Sequence, residues 1–376
     1  MRVAVISRVF SKSAGGAESY SVALVQHLAA RHEIHVFSQE SNQPVAGVIY
    51  HRVFCLSRKP RWINQLMFAM STWWQTRRGF DVVHSHENTW HGQIQTIHVR
   101  PLRHNLFFAK HGVRFLLRLV KVVLSPRLIT YMVLEGARFK AGFGQRIVAT
   151  SENLRIECTQ AYPDSPVPIS IITPGTNCHP NLPSRQLARK ILDLPQDSPL
   201  ILFVANDCAR KGLDTLLNAL VRLPVDVGLV VVGNPQSASK YRHMAQVMGL
   251  EKRVYFLGSL EDLTPAYCAA ECLAHPTLED SFAMVVLEAM AHGLPVVVSG
   301  PMHCGISRQL AQGVDALLLE EPKDAQTLAE LVGSVLNNPD IAATLRSHGL
   351  KFAEKHSWDS AALQYEQLYF QAVSKH

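Results

Sequence analysis

Short apolar runs alternate with helix-patterned stretches along the whole chain, and this rhythm breaks only once, near the middle. Short, mainly apolar runs at residues 3–6, 34–37, 82–84, 94–97, 146–149 and 169–172 read as buried strands, and residues 17–30 and 62–78 between them carry helical spacing. Strands apolar on both faces must be covered on both faces, so helices serve as crossovers and the sheet is parallel. A polar, proline-containing stretch at 177–184 interrupts the series, which restarts at 200–205, 227–232, 254–257, 272–274, 295–298 and 316–319. At 376 residues the chain is also longer than one domain usually grows. The expectation is an α/β protein with two Rossmann-like, doubly wound domains, 1–176 and 177–350. A helical segment, 351–376, follows them, and its Trp358, Ala361, Ala362, Tyr365 and Leu368 share one apolar face. A single α/β barrel is the weaker alternative, because a barrel has no reason to pause at its midpoint.

Charge narrows the choice of partners. Residues 1–180 hold 21 Lys/Arg against 9 Asp/Glu, whereas residues 181–376 hold 16 against 21, so the net +7 divides as +12 and −5. The first half therefore faces an anionic partner. Aromatic and basic residues are not interleaved as a base-stacking platform needs, and no zinc-finger or helix-turn-helix spacing occurs, which argues against nucleic acid. Between residues 88 and 134 there is no acidic side chain, while Arg100, Arg103, Lys110, Arg114, Arg118, Lys121 and Arg127 alternate with bulky apolar residues. Arg103, Lys110, Arg114, Arg118 and Lys121 have the spacing of one helical side. Such a helix either packs its apolar side on the sheet or dips it into lipid headgroups. The excess of apolar bulk favours an anionic membrane surface meeting residues 100–127.

The seven cysteines form no CxxC pair and read as free thiols of a reducing compartment; Cys268 and Cys272 have the spacing of one helix face. The first residues read as a strand and loop, not a signal peptide, and no run is long enough to span a bilayer. The expected location is cytoplasmic, peripherally associated with the inner membrane.

Four groups carry candidate chemistry. Gly15 and Gly16, between strand and helix, suit either a phosphate cradle or an ordinary tight turn, and the dinucleotide fingerprint GxGxxG is absent. Arg210-Lys211-Gly212, where a strand hands over to a helix, is either a diphosphate clamp or a solvated charge pair. Asp280 lies in a loop and Glu288 two helical turns later on an apolar helix. These carboxylates either accept from sugar hydroxyls or form a salt bridge to the clamp cations. His84, His86 and His98 stand at strand ends, where open α/β sheets gather catalytic groups, but with 18 histidines in the chain several fall there by chance, and His84 and His86 read as structural or rim residues. No ligand spacing points to a metal and no Asp-x-Asp occurs, so no cofactor is expected.

The stretch 201–299, with FVANDCARKGLDTLLNAL, VVVGN and LEDSFAMVVLEAMAHGLPVVVSG, resembles the retaining glycosyltransferases of family 4, particularly those that build lipopolysaccharide core. The resemblance extends to GGAES at the first loop, TIH at 96–98, ATSENLR at 149–155 and ITPG at 172–175. It implies a GT-B architecture, two Rossmann-like domains facing across a cleft, with a last helix crossing back to the N-terminal domain. It also implies a nucleotide-sugar donor, UDP-linked or alternatively ADP- or GDP-linked, a glycolipid acceptor and transfer of a hexose or heptose. The family's Glu-x7-Glu pair falls on Asp280, assigned to the transferred sugar, and Glu288, assigned to the ribose. The clamp lysine falls on Lys211, the acceptor-side histidine on His98, and the donor-phosphate glycines on Gly15 and Gly16. Three departures stand out: Asp280 is a methylene shorter, Gly-Phe-Gly reads Ser281-Phe282-Ala283, and a common arginine is Asn206, leaving Arg210 to supply its charge. A nucleotide-sugar epimerase and a non-catalytic sugar-nucleotide or lipid-binding protein are the alternatives.

Overall fold

The computed structural model describes residues 1–11, 15–42, 44–55, 59–140, 142, 145–177 and 181–374. The chain divides into two compact units, Met1–Pro174 with Trp358–His376, and Gly175–Ser357.

The first unit holds β1 (Arg2–Ile6), β2 (Val9–Phe10), β3 (Glu33–Ser38), β4 (Glu40–Ser41), β5 (Val48–Arg52), β6 (Val82–Ser85), β7 (Ile94–Ile97), β8 (Arg146–Ala149) and β9 (Ile169–Ile171), of which β1, β3, β6, β7, β8 and β9 fall on the expected runs. Seven of these form one parallel sheet in the order β5-β3-β1-β6-β7-β8-β9, and β2 pairs separately with β4. The chain starts at the sheet's centre, walks out to β5, then returns to β6 and walks the other way. The reversal falls between β1 and β6, where loops beyond the carboxyl ends part and leave room for a ligand. The connections carry α1 (Gly16–Leu28), α2 (Arg61–Thr76), α3 (Leu102–Phe107), α4 (Gly112–Val123), α5 (Pro126–Arg138) and α6 (Glu152–Ala161). The ATSENLR motif has a structural use here: Ser151 caps α6 by accepting from the Leu154 N–H at 3.2 Å.

One expectation fails in this unit. The basic residues from Arg103 to Lys121 do not share one helix, because left-handed backbone at Ala109 (φ 53°) and Gly112 (φ 55°) breaks the chain between α3 and α4. Only Arg114, Arg118 and Lys121 remain together, on α4. The apolar residues of α4 point outward: Val113 is 73% exposed, Leu117 64% and Val123 64%, and only Val122 is buried.

The second unit holds β10 (Leu200–Val204), β11 (Gly228–Val232), β12 (Val254–Gly258), β13 (Cys272–His275), β14 (Val296–Ser299) and β15 (Leu317–Leu319), all parallel in the order β12-β11-β10-β13-β14-β15. Its helices are α7 (Arg185–Ile191), α8 (Leu213–Leu220), α9 (Pro235–Val247), α10 (Thr264–Ala269), α11 (Met284–Ala291), α12 (Ala325–Asn337) and α13 (Pro339–Lys355). Alternation within one strand feeds two cores. Ile201 and Phe203 of β10 pack with Leu216 and Leu220 on one face, and Leu200, Leu202 and Val204 pack with Val286 and Val298 on the other. The reversal of strand order lies between β10 and β13. Cys268 and Cys272 do not share a helix face, since α10 ends at Ala269 and Cys272 opens β13.

The last helix, α14 (Trp358–Val373), packs on α1, β6 and β7 and so belongs to the first unit. Trp358, Ala361, Ala362, Tyr365 and Leu368 are buried on it, as is Tyr369; each large apolar side chain so covered contributes about 1.5–3 kcal/mol. Among the described residues no helix is long and apolar enough to cross a membrane.

Candidate active site

In the second unit the chemistry gathers where β10 and β13 release the chain. After β10 the backbone turns into α8 through Gly212, whose φ is 81° and whose missing Cβ would stand 2.0 Å from the Pro276 carbonyl oxygen. No side chain fits there, so the turn after β10 lies directly against the turn after β13. This contact brings Lys211 to Asp280. The Lys211 ammonium forms an ion pair with Asp280 Oδ2 and donates to the Glu279 carbonyl at 3.2 Å. His275, the last residue of β13, approaches the same Oδ2 through Nε2 at 3.1 Å. The other carboxylate oxygen of Asp280 accepts from the backbone N–H groups of Phe282 (3.3 Å) and Ala283 (3.0 Å).

Burial alone would push the Asp280 carboxyl up, but the hydrogen bond from His275 and the Lys211 charge outweigh it and hold the carboxyl well below the usual carboxylate range. Burial keeps the His275 imidazole below its ordinary value, against the pull of Asp280. A neutral His275 therefore donates from Nε2, and a fixed carboxylate positions the lysine. The helices that begin here, α8 and α11, start after Gly212 and Ala283, which offer no side-chain cap, whereas α9, α12 and α13 are capped by Asn234, Asp324 and Asn338. Uncapped N–H groups beside an ammonium are suited to a diphosphate.

The side chains of the other two candidates in this unit make different contacts. Arg210 is exposed and pairs with Asp207 at 3.5 Å, a surface ion pair. Glu288 accepts from the Tyr267 hydroxyl at 2.7 Å, and the Tyr267 ring stacks on His292 with centroids 4.8 Å apart.

The first unit presents Gly15, Gly16 and His98. Gly15 is the extended N-cap of α1 and supplies no side-chain cap; Ser13 and Ala14 of the same loop lie outside the described residues. His98 leaves β7 beside His86, which follows β6, and Nδ1 of His86 lies 3.0 Å from Nε2 of His98. Below them His84 is bonded on both sides, to the Tyr369 hydroxyl at 2.7 Å and Thr96 Oγ1 at 2.8 Å. Tyr365 links Thr96 and Tyr20, each at 2.9 Å, and Tyr20 meets the His98 ring edge-on at 4.9 Å. Burial pushes His98 down to about 3, helped by the Arg138 charge, and His84 down to about 3, helped by His98. These rings are neutral at physiological pH.

Four partners escaped sequence reading. His275 had a local signal, a polar residue closing an otherwise apolar strand. Tyr267 and Tyr365 read as apolar helix positions, and nothing local marks them. Arg138, buried beneath β7 and donating to Gln95 Oε1 and the Thr96 carbonyl at 2.8 and 2.9 Å, is indistinguishable in sequence from the surface arginines around it.

Both the sequence and the fold have known relatives. Residues 14–179 match the family model for Glycosyltransferase Family 4, and residues 184–352 match that for Glycosyl transferases group 1. The lipopolysaccharide glucosyltransferase WaaG of Escherichia coli is 25% identical over 242 residues, 61% of this chain and 63% of that protein. The D-inositol 3-phosphate glycosyltransferase of Corynebacterium urealyticum is 28% identical over 226 residues, 56% of this chain and 53% of that protein. The chain thus spans somewhat over half the length of the curated relatives it matches. Among solved structures, WaaG superposes with a TM-score of 0.83 at 20% identity, covering 98% of this chain and 99% of that one. HepE from Anabaena in complex with UDP-glucose superposes with a TM-score of 0.75 at 18% identity, over 97% and 98% of the two chains. Those two likenesses are of fold, the GT-B architecture. Two family models that together match most of the chain, residues 14–179 and 184–352, on a GT-B fold, establish the chain as a member of the group 1, family 4 glycosyltransferases.

Proposed function

We propose that the protein is a retaining glycosyltransferase that moves a hexose or heptose from a nucleoside-diphosphate sugar to a lipopolysaccharide core or related glycolipid acceptor, at the cytoplasmic face of a membrane. The observation that carries this reading is the Lys211–Asp280–His275 cluster at the strand-order reversal of the second unit, flanked by two uncapped helix starts. The bond that breaks joins the anomeric carbon to a phosphate oxygen. Charge developing on that oxygen is stabilised by Lys211 and the helix N–H groups, interactions stronger for the departing diphosphate than for the bound donor. An acceptor hydroxyl attacks from the side the diphosphate leaves, its oxygen bonds to the anomeric carbon, and its proton passes to the departing phosphate oxygen. Retention follows from that same-face attack. Glu288 is assigned to the ribose, Gly15 and Gly16 to the donor phosphates and His98 to the reacting sugar or acceptor. UDP is the favoured nucleotide, because HepE is a structural neighbour that binds UDP-glucose.

The outward-facing α4 supports a lipid-borne acceptor and disfavours an epimerase, which needs none. We assign residues 100–127 to contact with anionic lipid. Incubation with isotopically labelled UDP-, ADP- and GDP-sugars and a glycolipid extract, read by mass spectrometry, tests the reading. Transfer of label to lipid with retained anomeric configuration is expected. An epimerised nucleotide sugar, an inverted linkage or no turnover with any donor would overturn it.

A further inference from the structure

Two imidazole nitrogens 3.0 Å apart share one proton, so the contact between His86 Nδ1 and His98 Nε2 allows only two arrangements when both rings are neutral. In the first, His86 donates from Nδ1, which leaves its own Nε2 as a bare lone pair and puts the His98 proton on Nδ1. In the second, His98 donates from Nε2 and His86 must carry its proton on Nε2. That Nε2 of His86 is sealed from solvent and has no hydrogen-bond partner among the described residues. The second arrangement therefore strands a buried N–H, which proteins tolerate less well than an under-used acceptor.

We propose that His86 is a positioning residue that fixes His98 as the Nδ1–H tautomer, so that His98 meets its substrate as a neutral hydrogen-bond donor and not as a base. The adjoining parallel strands make this possible. Pairing of His84 with Ile94 and of Ser85 with Gln95 carries the two rings off β6 and β7 side by side, with centroids 5.2 Å apart and planes within 17°. Tyr20 from α1, set edge-on to His98, and Tyr365 from α14, bonded to Tyr20, hold the arrangement from behind. Nδ1 of His98 takes no partner among the described residues and is not sealed from solvent. Facing the pair are His84, Tyr20 and Arg138, with Tyr365 packed on His84. Burial and Arg138 keep both rings unprotonated through neutral pH. A donor at this place matches a reaction in which the departing diphosphate collects the acceptor's proton, because the enzyme then needs no base.

This inference rests on the assignment of His98 to the substrate, and the experiment separates the two. The full chain, labelled with 15N-histidine, is examined by long-range 1H–15N correlation near neutral pH, with His98 signals identified by their loss in His98→Gln. His98 is expected to show a protonated Nδ1 and a bare Nε2. His86→Phe should shift it toward the Nε2–H form, and His86→Asn, whose amide N–H can lie where Nδ1–H lay, should restore the native form. With UDP-glucose as probe, His86→Phe should lower kcat roughly tenfold, the worth of one neutral hydrogen bond, at unchanged nucleotide affinity, with recovery in His86→Asn. An Nε2–H or doubly protonated His98 in the native protein, or a tautomer indifferent to His86→Phe, overturns the proposal. The expected tautomer with normal turnover in His98→Ala would leave the positioning intact and remove the substrate role instead.

Discussion

At Gly212 a methyl group would stand 2.0 Å from the Pro276 carbonyl oxygen on a left-handed backbone, so Gly212→Ala must either part the two site turns or strain both. We expect a loss of more than about 3 kcal/mol in denaturant unfolding, together with loss of donor binding. Ala283 is the opposite case, a side chain already held at φ 70°. Ala283→Gly should change stability by no more than about 1 kcal/mol in either direction, relief of strain offsetting the added freedom of the unfolded chain. The position was visible in sequence as a departure from Gly-Phe-Gly, and the backbone there has kept the form that a glycine adopts. For Lys211 the ion pair makes two effects separable. Lys211→Met strands a mostly buried carboxylate and should cost about 3 kcal/mol, while raising donor KM and lowering kcat. Adding Asp280→Asn should return most of the stability and none of the activity. Recovery of activity in the double variant would show that the pair matters only to the fold.

Elements were legible where burial is two-sided. β10 is apolar throughout, β11 and β14 are so but for Gly228 and Ser299, and these strands needed no tertiary information. β5 was missed because it is an edge strand: no residue of Val48–Arg52 is fully buried, Ile49 and Arg52 are exposed, and the run includes Tyr50 and His51, a pattern shared with loops. The α3–α4 break was missed because Ala109, an unremarkable residue in sequence, turns left-handed. Helix α4 leaves a clear test at this scale. Charge reversal at Arg114, Arg118 and Lys121 should weaken sedimentation with anionic vesicles a hundredfold or more, three cations contributing about 1 kcal/mol each. Transfer to a lipid acceptor should slow while nucleotide affinity holds. Binding undiminished at both low and moderate salt would exclude α4 as the docking element.

Across the whole molecule, pH should act on the two units unequally. The first unit buries His84, His86 and His98 with proton affinities held below the ordinary histidine value, whereas the second has His275 of this kind. A group whose folded pKa lies below its unfolded value gives full stability above the unfolded value, near 6.5, and loses it as pH falls toward the folded value, here about 3 for His84 and His98. Each such histidine removes about 1.4 kcal/mol per pH unit across that window. The contribution of Asp280 has the same sign but begins only below about 3.8. All five tryptophans, Trp62, Trp73, Trp74, Trp90 and Trp358, lie in the first unit, so tryptophan fluorescence should report acid unfolding at a higher pH than far-UV circular dichroism. Coincident transitions, or a fluorescence midpoint unmoved by His84→Gln, would count against this account. The two-domain division was readable from the rhythm of apolar runs, whereas the buried polar network beneath His98 was not, because its members come from α1, β6, β7, α5 and α14, far apart in sequence. That membership of α14 also sets an order of assembly. The second unit is one continuous stretch and can close while the ribosome is still adding residues, but the first must wait, with Tyr20, His84 and Thr96 unpartnered, until residues 358–373 have emerged from the exit tunnel. The half of the protein made first is therefore the half finished last, and its strands are the ones that a nascent-chain chaperone would need to shield.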